Sequence, residues 1–187
     1  MNGRLAVGAL AFGLFLTGAA PSALPAPATV VLLVRHGEKA PGTVDVPLAD
    51  AGDARARALA EVGKGAGVQM ILTTQYRRTQ QTAATLATAL SITAEVVGVQ
   101  GDVSQHAVSV AAAIKSRHSG RTVLVVGHSN TIPSIVAALG GTRYPDLCDE
   151  EYDALFIVVI DAEGAARTVR TRYGAPSPLG DGCARMR

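Results

Sequence analysis

The sequence predicts an α/β fold, a three-layer α/β/α sandwich built around a mostly parallel sheet. The first observation is a set of short aliphatic runs, such as residues 30–34 and 122–126, which are typical of strands buried on both faces. The second is that segments with apolar residues at helical spacing separate these runs. Strands that alternate with helices in this way form parallel sheets that are covered on both faces.

The predicted elements follow one another in regular order. We expect strands at residues 30–34, 68–72, 94–99, 122–126, 155–160 and 167–172, and helices at residues 53–64, 76–90, 103–118 and 131–139. Asp50 is positioned to cap the first helix. A turn at Ala162-Glu163-Gly164 is expected to join the last two strands. No internal repeat or interdomain linker interrupts the pattern, so we expect one domain.

The composition is that of a globular protein and argues against nucleic-acid binding. The chain of 187 residues is 48% apolar and 17% charged, with a formal net charge of only +2. Aromatic residues make up 4%, and tryptophan is absent. The dispersed basic residues form no cationic stripe interleaved with aromatic residues, which is the pattern that nucleic-acid binding favours.

The N-terminal segment, residues 1–28, has the layout of a secretory signal peptide. Arg4 gives it a positive start, an uncharged apolar run covers residues 5–20, and Ala26-Pro27-Ala28 fits a cleavage signal. The alternative is a retained membrane anchor, but the run is shorter than the ~20 residues of a usual spanning helix. We expect a mature domain of residues 29–187, exported to the periplasm or secreted, with no membrane span.

Export places the two cysteines, Cys148 and Cys183, where disulfides persist. Cys183 lies in a Gly- and Pro-rich tail that a bridge to Cys148 would hold in place. A disulfide requires Cα atoms within about 7 Å of each other, and the sequence leaves this open.

Polar side chains follow three of the predicted strands. Arg35 and His36 come directly after the first strand, Arg78 lies one turn into the helix after the second, and His128 follows the fourth. Ligands of open α/β sheets bind outside the carboxyl ends of the strands, so these four side chains are expected to share one pocket. Two guanidinium groups there can clamp a tetrahedral oxyanion through forked hydrogen bonds.

Two histidines beside two arginines favour a nucleophile over a metal ligand. Neutral imidazole does bind metals, but neighbouring guanidinium groups oppose a cation, and no Asp, Glu or Cys cluster has ligand spacing. Neutral imidazole can also attack phosphorus and hold the phosphoryl group covalently. Phosphoryl transfer depends on alignment and charge stabilisation, which this set of residues supplies. We therefore expect no metal and no cofactor.

The candidate residues lie in or beside four longer motifs: LVRHGE at residues 33–38, PLADAG at 47–52, TQYRRTQQTA at 74–83 and VVGHSN at 125–130. Together these motifs resemble those of the histidine phosphatase (phosphoglycerate mutase-like) superfamily. Their order matches the family, and each stands after the strand where the family places it. The resemblance covers residues 30–139 firmly and the rest of the chain loosely.

The resemblance implies the phosphoglycerate mutase-like fold and a phosphatase mechanism. His36 is expected to accept the phosphoryl group, Arg35, Arg78 and His128 to grip its oxygens, and water to hydrolyse the phospho-histidine. Lys39 is a further candidate for substrate binding. The expected partner is a small phosphorylated substrate or a phosphoprotein, and the protein is expected to be a monomer.

Length and motif details point to the small SixA-like group within the family. The large acid phosphatases carry Arg in place of Lys39 and Asp in place of Ser129, and they need room for an additional helical domain. Phosphoglycerate mutases are longer. Two other functions stay open: a catalytically weak phosphate-binding protein of the same fold, and a phosphatase for an envelope sugar phosphate.

The general acid is the least defined residue of the predicted site. The family often places it after the third strand, where Asp102 is the one carboxylate, but Asp102 also stands where an N-cap belongs. Glu38, two residues from His36, is the competing candidate. We expect His106 and His118 to be surface or cap residues, Asp45 to order its loop, and the acidic run 149–153 to be a solvated loop.

Overall fold

The structure, a computed structural model, describes residues 26–178 and residue 183. Residues 1–25 of the expected signal peptide lie outside the described residues. In the part of the chain that is described, no helix is both long enough and apolar enough to cross a membrane.

The described residues form six strands and four helices, at the positions that the sequence predicts. The strands are β1 (Thr29–Arg35), β2 (Met70–Thr73), β3 (Glu95–Val96), β4 (Thr122–Gly127), β5 (Ala154–Ile160) and β6 (Ala166–Arg172), and the helices are α1 (Asp50–Gly65), α2 (Arg77–Leu90), α3 (Val103–Arg117) and α4 (Thr131–Ala138).

Two local predictions differ from the structure. Asp50 is the first residue of α1 and not its cap, because Ala49 occupies the N-cap position with extended backbone. Asp50 still places a negative charge in the first turn, where the helix dipole favours it. The third strand is two residues long instead of six, because β2 offers only Leu72 and Thr73 as its partners.

The sheet is mostly parallel, with the strand order β3-β2-β4-β1-β5-β6. The four strands from β3 to β1 run parallel, and β5 and β6 add an antiparallel edge. β1 and β4 are neighbours in register, with Arg35 opposite Gly127. The residues that follow both strands therefore emerge side by side at one edge of the sheet.

Helices cover both faces of the sheet, as predicted. Leu33 of β1 packs into a core with α3 and α4, whereas the next residue, Val34, packs into a second core with α1 and α2. This alternation explains why β1 is aliphatic at every position, since neither face meets water. Both cores hold the strand ends in fixed positions.

The acidic run before β5 is only partly solvated, which corrects the sequence-based expectation. Glu151 and Asp153 are 3% and 1% exposed. Arg170 and Arg172 of β6 pair with them, at 2.6 and 2.7 Å. Buried carboxylates need such partners because desolvation otherwise penalises their charge.

Cys148 and Cys183 are buried free thiols that line one cavity together with Glu150. Cys183 donates to a carboxylate oxygen of Glu150, at 3.5 Å. The nearby Cys148 thiol, burial and Glu150 raise the pKa of the Cys183 thiol to about 12. The disulfide stays a prediction.

Candidate active site

A cavity of about 510 Å³ opens at the carboxyl ends of β1, β2 and β4. Five of the six residues predicted for the site line it: Arg35, His36, Lys39, Arg78 and His128. The sixth, Asp102, does not. The parallel sheet brings these residues together from three separate segments, as the position of each after its strand predicts.

Arg35 is held in place by the loop before β5. Its Nη1 atom donates hydrogen bonds to the backbone carbonyls of Cys148 at 2.7 Å, Asp149 at 2.9 Å and Glu151 at 3.3 Å. The guanidinium also stacks on the Tyr152 ring, 4.2 Å from its centroid. Burial lowers the pKa of Arg35 from its usual value. Carbonyl oxygens orient the guanidinium without cancelling its charge, so it stays available to an anion.

His36 is buried, and one of its ring nitrogens is committed to the backbone. Nδ1 lies 2.7 Å from the carbonyl oxygen of Gly37. Burial lowers the pKa of His36 to about 3, the nearby Arg35, His128 and Arg78 lower it further, and the Gly37 bond opposes them. The ring is therefore neutral at neutral pH. Because a carbonyl can only accept, Nδ1 carries the proton and Nε2 keeps its lone pair.

The Arg-His-Gly turn packs against the start of α1 through two glycines. A Cβ atom on Gly37 would lie 2.9 Å from the Cα and the carbonyl oxygen of Gly52, and one on Gly52 would lie 2.2 Å from the carbonyl oxygen of Glu38. Both contacts are with backbone, which cannot move aside. Two of the family-like motifs thus contain glycine because their backbones touch.

Thr82 of α2 fixes the same turn from the other side. The backbone N–H of Gly37 donates to Oγ1 of Thr82 at 2.9 Å, and that hydroxyl donates to the carbonyl of Arg78 at 2.7 Å. The turn that carries His36 is therefore bonded to the helix that carries Arg78.

Glu38 is committed to a structural ion pair. Its carboxylate accepts three hydrogen bonds from Arg55, at 2.7 to 3.1 Å, and Arg55 also donates to the carbonyls of Tyr173 and Ala175. Burial opposes ionisation of Glu38, but the bonds from Arg55 outweigh it and lower its pKa. Glu38 does not line the cavity. It organises the loop and α1, and this geometry disfavours it as the general acid.

His128 faces His36 across the cavity, with ring centroids 5.4 Å apart. Nη2 of Arg78 lies 3.4 Å from its Nδ1, and Oγ1 of Thr74 lies 3.2 Å from its Nε2. Burial, followed by Arg78, lowers the pKa of His128 to about 4. Both cavity histidines are thus neutral in the free protein at neutral pH.

Asp102 serves as the N-cap of α3, which was the alternative to its role as acid. Its carboxylate accepts from the N–H of Gln105 and from the hydroxyl of Ser104, both at 2.8 Å, and these bonds lower its pKa. The residue is exposed. A low pKa and a position away from the cavity lining both disfavour proton donation.

One cavity residue that sequence reasoning missed is Asp146. Among the described residues that line the cavity it is the single carboxylate. It lies in the loop between α4 and β5, which the N–H of Leu147 anchors to the carbonyl of Ser129 at 3.0 Å. No motif or periodicity marks this loop, so the sequence offers no signal for Asp146.

The two helical histidines are buried, contrary to expectation. His106 is 2% exposed and His118 is 5% exposed, although His118 does occupy the C-cap position of α3. His106 bonds the carbonyl of Gly98 at 3.3 Å, and His118 pairs with Glu95 of β3 at 3.2 Å. Neither lines the cavity.

Fold and site together define a class: an α/β protein with a buried neutral histidine between two arginines at the carboxyl edge of a parallel sheet. Residues 31–98 match the family model "Histidine phosphatase superfamily (branch 1)". The resemblance that the motifs predict is thereby confirmed, and with it a phosphatase enzyme. A comparison with curated protein sequences gives no match.

Solved structures share the fold. The protein histidine phosphatase SixA in complex with tungstate is 21% identical, with a TM-score of 0.60 over 76% of this chain and 96% of that one. A mycobacterial glucosyl-3-phosphoglycerate phosphatase is 18% identical, with a TM-score of 0.59 over 80% and 100%. A phosphoserine phosphatase from Entamoeba histolytica is 15% identical, with a TM-score of 0.55 over 79% and 98%. These likenesses establish the fold. They include a SixA protein, in agreement with the SixA-like resemblance expected from the sequence.

Proposed function

We propose that this phosphatase hydrolyses a phosphomonoester or a phosphoprotein through a phospho-histidine intermediate on His36. The observation that carries the proposal is the state of that ring: neutral, with Nδ1–H held by Gly37 and with no hydrogen bond to Nε2 from any described residue. A nucleophile must be deprotonated and aimed, and this hydrogen bond supplies the orientation while burial supplies the charge state.

The first half-reaction transfers the phosphoryl group to the protein. The Nε2 lone pair forms a bond to phosphorus while the bond from phosphorus to the leaving oxygen breaks, and that oxygen keeps the electron pair and takes up a proton. In the second half-reaction water attacks phosphorus, the P–N bond breaks, and the electron pair returns to Nε2. Inorganic phosphate is released and the free enzyme is restored.

Arg35 and Arg78 supply the charge that the transferring group requires. Charge spreads over the three equatorial oxygens in the transition state, and fixed cations stabilise it there. The Nε atoms of both arginines are buried and have no hydrogen-bond partner within the described residues. Buried donors of this kind are costly unless something accepts from them, and phosphoryl oxygens are suitable acceptors.

The cavity walls favour a small substrate. Apolar side chains, Val46, Val99 and Val103, line the cavity together with Tyr76 and polar residues of the loop after β4. A volume of about 510 Å³ is in the range of small-molecule sites. A single phosphorylated residue of a protein would also fit, so the substrate class is decided by assay.

The direct test is activity on an aryl phosphate, with His36→Ala as the variant and Arg77→Ala as the control. We expect His36→Ala to reduce turnover on the order of 10⁴-fold or more, because the nucleophile is lost. Rapid-quench trapping is expected to give an acid-labile, base-stable phosphoenzyme in the parent protein. Circular dichroism verifies that the variant is folded. Substantial turnover by folded His36→Ala would rule out the mechanism.

The alternative, a catalytically weak phosphate-binding protein, draws on a specific observation. Both sequence-predicted acids, Asp102 and Glu38, are engaged in structural hydrogen bonds. An aryl phosphate with a good leaving group needs no acid, so turnover of this ester separates an enzyme from a binding protein. A panel of phosphorylated sugars and peptides, including phosphoserine and phosphohistidine peptides, then separates the substrate classes.

A further inference from the structure

A chain of three hydrogen bonds leads from His128 into the start of α2. Nε2 of His128 lies 3.2 Å from Oγ1 of Thr74, which lies 2.9 Å from Oγ1 of Thr79. The Thr79 hydroxyl in turn lies 2.8 Å from the carbonyl oxygen of Tyr76. Thr74 and Thr79 are buried, at 2% and 0% exposed, so water does not compete for these bonds.

The direction of every bond in this chain follows from the donors available. The Thr79 hydroxyl donates toward two backbone carbonyls, that of Tyr76 at 2.8 Å and that of Thr74 at 3.2 Å, and because carbonyls only accept, its single hydrogen is used there. Thr74 must then donate its own hydrogen to Thr79. With that hydrogen used, Thr74 can only accept from His128, and Nε2 of His128 must carry a proton.

The other side of the ring gives the same result independently. A guanidinium has donors and no acceptor, so Arg78 can approach Nδ1 of His128 only where that atom presents a lone pair. The pKa of His128, lowered to about 4, makes the ring neutral with one proton to place. That proton is on Nε2, away from Arg78.

This tautomer is the wrong one for gripping an oxyanion. Nδ1 presents a lone pair toward the cavity residue Arg78. A phosphoryl oxygen that approached Nδ1 would be repelled, because both atoms are hydrogen-bond acceptors. Thr74 prevents the ring from moving its proton from Nε2 to Nδ1, since Thr74 has no hydrogen left to donate to Nε2. The ring can become a donor toward an oxyanion only by gaining a second proton.

Burial, and then the charges around His128, explain why that proton is absent until an anion arrives. Several titratable groups surround the ring: Arg35 and His36 from the end of β1, Tyr76 and Arg78 from the start of α2, His106 from α3, and Asp146 across the shared cavity. The two arginines and the histidines oppose a further positive charge. A dianion between the arginines reverses the sign of the local field and favours it.

We propose that Thr74 is a positioning residue that fixes the Nε2–H tautomer of His128 and thereby couples oxyanion binding to the uptake of one proton at Nδ1 of His128. The proton comes from solvent, adds to the Nδ1 lone pair and leaves with the product anion. The inference rests on the proposed function only in requiring that the cavity binds a tetrahedral oxyanion.

Sulfate is the appropriate probe, because it remains a dianion across the whole pH range of the experiment. Isothermal titration calorimetry of the full mature protein, in buffers of different ionisation enthalpy at one pH, counts the protons taken up. We expect close to one proton per sulfate at pH 6, and an affinity that falls roughly tenfold per pH unit above pH 5 until the pKa of the complex is reached.

Three variants test the role of Thr74. Thr74→Val removes the acceptor, so the neutral ring can place its proton on Nδ1; we expect uptake well below one proton and a flattened pH profile. Thr74→Ser keeps the hydroxyl and is expected to restore both. Thr73→Val is the matched control, because the buried Thr73 hydroxyl has no hydrogen-bond partner in the described part of the chain, and it is expected to behave like the parent.

Several outcomes would overturn the inference. The first is an absence of saturable sulfate binding, and the second is sulfate binding without proton uptake in the parent protein. The third is a Thr74→Val variant that binds sulfate more weakly at every pH but takes up as many protons as the parent, because the proton would then reside on His36. If Thr74→Val does not fold, nitrogen-15 NMR of the parent decides: we expect Nε2–H in the free protein and both nitrogens protonated with sulfate. Active His36→Ala would contradict the proposed function and leave these binding results intact.

Discussion

The four histidines of this protein form two pairs that burial does not separate, since His36, His106 and His118 are buried and His128 is half-buried. His36 and His106 are 3% and 2% exposed, and burial lowers the pKa of both. His106 and His118 lie on or at the end of α3 and bond to groups near β3. His36 and His128 stand at strand ends beside arginines and a cavity.

The comparison teaches that burial alone does not identify a reactive histidine. Burial lowers the pKa of His106 on α3 as well as that of His36 and His128 in the cavity. What distinguishes the strand-end pair is that one ring nitrogen of each is fixed by Gly37 or Thr74, and that Arg35 and Arg78 are close enough to lower the pKa of both rings beyond the effect of burial. The helical pair instead connects α3 to β3, which contributes to stability.

The arginines beside the strand-end pair also impose an energetic cost on the free protein that the surroundings of the helical pair do not. Arg35 and Arg78 are close enough to repel each other, and within the described residues the hydrogen bonds of Arg35 go to carbonyl oxygens while its guanidinium stacks on the Tyr152 ring. Like charges held together in a partly buried site destabilise the free protein. Anion binding relieves this repulsion, so ligand affinity and stability are linked.

After the loss of the nucleophile in His36→Ala, the largest effect is expected from Arg78→Ala, with Arg77→Ala as the matched control on the exposed side of the same turn. Loss of the Arg78 charge is expected to lower kcat/KM on an aryl phosphate by about 10³-fold, as for a preorganised oxyanion donor. Arg77→Ala is expected to change it less than about twofold, since surface charges of this kind contribute little.

Stability sharpens this prediction. Because Arg78 opposes the charge of Arg35, Arg78→Ala is expected to leave the thermal unfolding midpoint unchanged or raise it while abolishing most activity. A variant that is inactive because it is unfolded would show the opposite, and equal activity losses in Arg77→Ala and Arg78→Ala would remove Arg78 from the site.

A smaller effect on activity is expected from His128→Ala, and a different kind of effect from His118→Ala. The first is expected to lower kcat/KM about 10²-fold with little change in stability, because Arg35 and Arg78 still bind the oxyanion. The second is expected to keep activity within about twofold and to lower the free energy of unfolding by about 1–3 kcal/mol, as Glu95 loses a buried partner. Steady-state kinetics and urea unfolding measure both quantities. If His118→Ala is as inactive as His128→Ala, the distinction between the two pairs is wrong.

The sequence predicts the layers and the strand-end residues because each depends on local pattern. Uninterrupted aliphatic runs indicate buried strands, and Arg35, His36 and His128 follow such runs directly. Every parallel strand ends at the same edge, so topology alone brings these residues together.

The remainder depends on contacts between distant segments, which no local pattern records. His118 meets Glu95 across two elements, and Asp146 reaches the cavity from an irregular loop. Glu38 lies two residues from His36 in the sequence, and this spacing fits a proton donor as well as a partner for Arg55. The packing of α1 places Arg55 against Glu38 and so decides its role. Charge and spacing in the sequence identify candidate residues, whereas their contacts in the folded chain decide which role each residue has.

The smallest effect is expected at Asp102, and it completes the comparison because Asp102 begins the helix that carries the structural histidines. Its carboxylate accepts two hydrogen bonds at the start of α3, and its lowered pKa keeps it ionised at neutral pH. Asn caps helices about as well as Asp, so Asp102→Asn is expected to leave the free energy of unfolding nearly unchanged, and Asp102→Ala to lower it slightly. Neither is expected to change turnover.

The decisive measurement uses two esters, one with a good and one with a poor leaving group, because a lost general acid slows only the poor one. Asp146→Asn is measured beside it, since Asp146 lines the cavity. If Asp102→Asn slows the poor ester selectively, α3 does carry a catalytic group, and the division between a reactive strand edge and a structural helix fails.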